Sequence, residues 1–155
     1  MTPQRNAKLR GVLPILLVMT LILLMSVTPG DQAGESFKLV AGPLRGWLRG
    51  TGWLAFLTRP DWFKVGHVIA YGVLGGLVYR AHRLKRLQNA AAQPSAAGIG
   101  EPFLRPLLIV LGFAILDELL QHFIPGRTAR LSDVLLDTTA ALIVMVIFRL
   151  VERRT

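Results

Sequence analysis

The chain has no cysteine, which excludes disulfides and thiolate-bound metal sites and leaves no trace of its redox compartment. Acidic residues are scarce: nine stand against eighteen Lys and Arg in 155 residues, for a net charge of +9. No His-x-x-x-His or Glu-x-x-His pair is present to grip a metal from one helix face. A metal would need scattered groups such as His67, His122, Glu118 and Asp133, and none is expected. Phosphate-cradling glycine loops and a serine nucleophile elbow are missing too, and no cofactor is expected.

What the chain has is apolar length. Hydrophobic residues make up 52 % of it, and the mean hydropathy is +0.49. They gather in four blocks, at 12–27, 65–79, 103–123 and 134–151. A helix that crosses a bilayer needs roughly 20 residues, and with their flanks the blocks predict helices at 9–28, 62–80, 103–123 and 134–151. The expected fold is all-α, a single-domain integral membrane bundle of about four transmembrane helices. The first block follows basic residues, as in a signal peptide, but no small-x-small cleavage site follows Val27. It is read as a retained helix.

The placement of the basic residues argues against nucleic acid as the partner. In a four-helix topology, eleven fall on one side: Arg5, Lys8 and Arg10 before the first helix, five from Arg80 to Arg105, and Arg149, Arg153 and Arg154 at the end. Seven fall on the other. The richer side faces the cytoplasm, so both termini are expected inside, in an inner-membrane protein whose basic face meets anionic lipid heads. Residues 29–61 are then the long outer loop. Its glycines predict irregular backbone, and Trp47 and Trp53 suit a segment at 44–57 lying along the headgroups or closing over a site. Residues 81–102 are expected to form a flexible cytoplasmic loop, low in complexity from 88 onward. Pro125 and Gly126 should end the third helix, and Asp133 or Ser132 should cap the fourth.

Ionisable groups in a membrane segment cost ~2.5–3.5 kcal/mol at the helix centre, so their gathering is informative. The second helix enters from outside with Asp61, Lys64, His67 and Tyr71. The third arrives there with Asp117, Glu118, Gln121 and His122, and the fourth leaves with Asp133 and Asp137. Alternating topology brings these ends to one membrane face. Lys64, His67, Tyr71 and Gly75 fall on one helical stripe, Glu118 and Gln121 share a face, and so do Asp133 and Asp137. Gly72, Gly75 and Gly76 permit a close helix neighbour. The expectation is an outward polar pocket. Lys64 and Arg127 suit an anionic group, Tyr71, Gln121, Asp133 and Asp61 complete the binding set, and Glu118 and His67 are the acid–base pair if the protein is an enzyme. Asp117 is expected to face headgroups or water. Ion pairs that merely fix helix packing are the plainer alternative.

Two stretches carry a resemblance to a known family. Asp61-Trp-Phe-Lys64-Val-Gly-His67-Val-Ile-Ala-Tyr71-Gly72 and Glu118-Leu-Leu-Gln121-His-Phe-Ile-Pro125-Gly126-Arg127-Thr-Ala-Arg-Leu-Ser132-Asp133-Val-Leu-Leu-Asp137 resemble the VanZ-like family of small bacterial membrane proteins. The likeness spans about 61–145, with both motifs in the family's order. Asp137 stands where the family pattern usually has Asn, adding a charge. Ala140 and Ala141 replace glycines, which calls the close packing of the fourth helix into question. The resemblance implies a cell-envelope protein and, by analogy with some members, a link to glycopeptide (antibiotic) resistance. Three functions fit these residues: binding of an anionic envelope molecule such as a lipid headgroup or lipid-linked cell-wall precursor, acid–base catalysis on such a molecule, or a structural role in a membrane complex. The oligomeric state is not legible.

Overall fold

The computed structural model describes residues 3–28, 62–92 and 103–154. Asp61, the expected outer loop 29–61 and the second half of the cytoplasmic loop lie outside the described residues. Four helices follow in order: α1 Pro3–Val27, α2 Trp62–Ala92, α3 Leu104–His122 and α4 Leu131–Glu152. The described part of the chain is all-α, with no strand. Each expected helix is present, and α2 is longer than expected. It continues to Ala92, so residues 81–92 are helical rather than loop. Arg, Lys, Leu and Ala in that stretch are good helix formers, and no Gly or Pro interrupts them.

α2 is the central element, packing on α1, α3 and α4, and its interface with α4 is the most extensive. The core takes Ile22 from α1, Tyr71, Leu74 and Tyr79 from α2, Val110 and Phe113 from α3, and Ala141 and Met145 from α4. On α4 the buried residues are Val134, Asp137, Ala141 and Met145, one stripe at helical spacing. α2 and α4 approach closely, although Ala140 and Ala141 stand in place of glycines. The small residue is on the partner helix: a Cβ at Gly75 would lie 2.7 Å from Ala141 Cα. At the far end of this interface Glu152 of α4 accepts hydrogen bonds from Arg83 and Tyr79 of α2, the latter at 3.4 Å.

The turn between α3 and α4 is short and closed by a backbone hydrogen bond. Arg127 N donates to Ile124 O at 3.1 Å, with Pro125 and Gly126 between them. Gly126 has φ 78°, so this is a type II turn, which takes Pro at its second position and Gly at its third. It sets α3 and α4 side by side and holds their polar ends together.

Burial is inverted relative to a water-soluble domain. His67, Asp117, Glu118, Gln121 and Asp137 are buried, while Leu13, Leu17, Leu24, Ile69, Leu108, Leu119, Leu135 and Leu150 are among the many large apolar side chains left exposed on the outside. Among the described residues only Leu131–Glu152 is both long and apolar enough to cross a membrane by composition, with the apolar part of α1, Gly11–Val27, slightly short. The side chains of the polar cluster themselves dilute the apolarity of α2 and α3.

Candidate functional site

The polar ends of α2, α3 and α4 meet in two tiers. The inner tier centres on Asp117, only 1 % exposed. Its Oδ2 accepts from Tyr71 OH at 3.2 Å and, at the limit of hydrogen-bond length, from Gln121 Nε2 at 3.5 Å. His67 Nδ1 stands 3.7 Å from the same oxygen and 3.8 Å from Asp137 Oδ2. The imidazole of α2 thus bridges a carboxylate of α3 and one of α4. Its ring stacks on Tyr71, with centroids 6.2 Å apart. Gln121 also reaches Ser26 Oγ of α1 at 3.4 Å, so all four helices contribute. Asp117 Oδ1 is buried and has no hydrogen-bond partner among the described residues, which leaves one acceptor open for a ligand donor or a proton.

The outer tier is the rim. Lys64 Nζ donates to both oxygens of Asp133, at 2.7 and 2.9 Å, with side-chain exposures of 40 % and 25 %. Glu118 accepts the backbone N–H of Arg130, the N-cap residue of α4. In a capping box the carboxylate for that N–H comes from the third residue of the same helix; here α3 supplies it. Asp133 occupies that third position, and its carboxylate turns to Lys64. Neither Asp133 nor Ser132 caps α4, whose N-cap has no side-chain hydrogen bond. Arg127 donates to the carbonyl of Met25 in α1 at 3.0 Å and to that of Thr28, just past its end, at 3.1 and 3.2 Å, closing groups that a helix C-terminus leaves open.

The structure therefore brings His67, Tyr71 and Gln121 together below, and Lys64, Asp133 and Glu118 at the rim. Arg127 sits at the edge and binds α1 carbonyls rather than Glu118. His122 is exposed and packs edge-on to Phe123, centroids 5.5 Å apart. Asp117, expected at headgroups or water, is instead the most deeply buried carboxylate of the cluster. Its signal was present: it lies four residues before Gln121 and so shares that residue's face. Ser26 was missed because it lies inside a block read only for its apolarity. Among the described residues no three His, Asp or Glu side chains are arranged to hold a metal ion.

The Lys64–Asp133 pair is half-buried at the rim, and pairs that keep contact with water contribute ~0–1 kcal/mol. Lys64→Ala is thus expected to lower thermal stability by no more than ~1 kcal/mol. Thermal unfolding in detergent checks this, and a several-fold larger loss would mean that the pair works as a buried one.

A helical bundle with carboxylates, imidazole and amide inside one end and an apolar exterior is the architecture of a small membrane-associated protein. The VanZ/LLP1 family model matches residues 12–152, and the chain belongs to this membrane-associated family. No curated protein and no solved structure matches it significantly.

Proposed function

We propose that the protein is a four-span protein of the bacterial inner membrane, termini inside, whose outward polar cluster binds the headgroup of an envelope molecule. Both an anionic lipid headgroup and a lipid-linked cell-wall precursor fit this class. The observation that carries the reading is the inverted burial: polar groups from four helices enclosed at one end, apolar side chains facing out. In water this pattern would expose most of the apolar surface; in a bilayer each group meets a matching environment.

The ligand chemistry follows from the two tiers. Lys64 is the rim cation with a partly exposed ammonium, and an anionic group would take it from Asp133. Asp117 and Asp137 lie below and accept hydrogen bonds, which suits hydroxyl, amide or ammonium donors on the same headgroup. An anionic molecule that also carries such donors satisfies both tiers; a bare anion would meet carboxylates.

The topology is tested first. The chain lacks cysteine, so Glu35→Cys and Ser95→Cys each introduce a unique label. Residue 35 should react from outside intact cells and residue 95 only after permeabilisation; equal reactivity from outside would sink the four-span topology. Binding is tested by mass spectrometry of molecules that co-purify with detergent-extracted protein. An envelope lipid retained by the wild type and lost in Lys64→Ala is expected. Identical co-purification in both would remove Lys64 from the site.

A second reading, catalysis on the same molecule, is favoured by one observation, the imidazole of His67 between two carboxylates. That is the arrangement of an oriented general base. Conversion of a lipid-linked precursor by purified protein, abolished in His67→Gln, would establish it. A stability that collapses without a partner protein would instead favour the structural role.

A further inference from the structure

A second feature lies on the outside of the bundle, away from the polar cluster. α2 and α4 enclose a groove of about 620 Å³ whose walls include Val68, Ile69, Val73, Leu136 and Ile143. Its floor is low because Gly72 and Gly76 carry no side chains; a Cβ there would stand 3.3 and 3.1 Å from Val144. Apart from Thr139 the lining is apolar until one end, where Arg80 closes it.

We propose that this groove holds an acyl chain of an anionic phospholipid from the leaflet on the Arg80 side, with the lipid phosphate at the Arg80 guanidinium. The proposal rests on the membrane-spanning reading above. Dimensions support it: from Val68 to Arg80 the helix rises ~18 Å, while one leaflet contributes about 15 Å of a ~30 Å hydrocarbon core. The cation therefore sits where a chain lying in the groove has its headgroup.

Charge supports it as well. Arg80 is exposed and forms no ion pair among the described residues. Arg83, Lys85 and Arg86 follow it on α2, and Arg105 opens α3 at the same end. The neighbouring His82 imidazole is held below its ordinary range first by burial and then by Arg86, Arg105 and Lys85, so a positive local field adds to the shift. A juxtamembrane cluster of this kind selects anionic lipids. The other occupant of such a groove would be a second copy of the chain. A two-fold dimer across the groove would set residues of equal depth against each other, bringing Arg80 towards its own copy, and that repulsion disfavours it.

The experiment uses the full chain purified in detergent, offered equal amounts of dioleoyl phosphatidylglycerol and dioleoyl phosphatidylcholine, and read by native mass spectrometry. One phosphatidylglycerol should be retained, with a preference of about fivefold over phosphatidylcholine. Arg80→Gln should bring the preference close to one. Thr139→Phe, which fills the groove from an exposed position, should reduce retention of both lipids. Equal retention of the two lipids by the wild type would overturn the proposal, as would a lipid-free dimer that Thr139→Phe loosens. Carbonate extraction separates this from the membrane reading: a chain that resists extraction yet shows no lipid preference loses only the groove, and one released by carbonate loses both.

Discussion

Gly75→Ala is expected to lower the thermal stability of the bundle by about 1–3 kcal/mol, the usual cost of overpacking a core. The added methyl would stand 2.7 Å from Ala141 Cα and Cβ and 2.8 Å from its carbonyl oxygen. Two of those three atoms are backbone, so rotation of a side chain cannot relieve the contact and α2 and α4 must separate. The second substitution Ala141→Gly should rescue only part of the loss, because Cα and O remain in place. Gly112→Ala is the control. Nothing lies within 4 Å of its added Cβ, and alanine in a helix interior is better than glycine by roughly 0.5–1 kcal/mol. Thermal unfolding in detergent distinguishes the three variants. Equal effects at 75 and 112 would mean that the α2–α4 contact is not close.

Glu118 is the second position where a large effect is expected, and two substitutions there should diverge. Glu118→Ala removes the acceptor for Arg130 N–H and frees the start of α4. That bond is part-buried, and loss of a helix N-terminal cap costs about 0.5–2 kcal/mol. Glu118→Gln keeps an oxygen for that N–H and should remain close to wild type in stability. If the carboxylate also serves the ligand, the Gln variant should fold and fail to bind. Full binding by Glu118→Gln would leave Glu118 as the cap of α4 alone, with the ligand chemistry passing to Lys64, His67 and Asp117. Charge alone points to Lys64, Arg127 or His67 as the partner of Glu118; the structure replaces that ion pair with a bond to a backbone amide.

That replacement shows where sequence reasoning stopped. Four helices, their order and the meeting of three polar ends were legible, because apolar blocks and alternating topology leave few other arrangements. The Lys64–His67–Tyr71 stripe and the Pro125-Gly126 turn were legible for local reasons, helical spacing and turn chemistry. Asp117 was not. It and Glu118 are consecutive, about 100° apart around the helix, and both can be buried only when α3 has neighbours on two sides. That condition is tertiary. The partner of Glu118 was illegible for a different reason: a backbone N–H carries no residue-type signal. The extension of α2 to Ala92 was hidden because a basic, alanine-rich stretch reads equally well as a helix past the membrane or as a loop. The α2–α4 contact was half legible, since the glycines of α2 were noted but the alanines of α4 suggested a looser fit.

The grip of Arg127 on α1 has a consequence for biosynthesis. Its acceptors, the carbonyls of Met25 and Thr28, lie 102 and 99 residues earlier in the chain. At about 5–20 residues per second, a ribosome needs ~5–20 s to make the intervening segment. Throughout that interval the first helix has left the ribosome with the last carbonyls of its spiral still without this guanidinium. This last tie on the N-terminal helix is therefore a late one, added only when the α3–α4 turn emerges. A nascent chain halted before residue 127 should hold α1 only through its packing on α2 and α3, with its C-terminal end more accessible to neighbouring chains than in one halted after α4. The final hairpin acts as the latch of the assembly, and its translation marks the moment at which the end of the earliest-made helix is fastened.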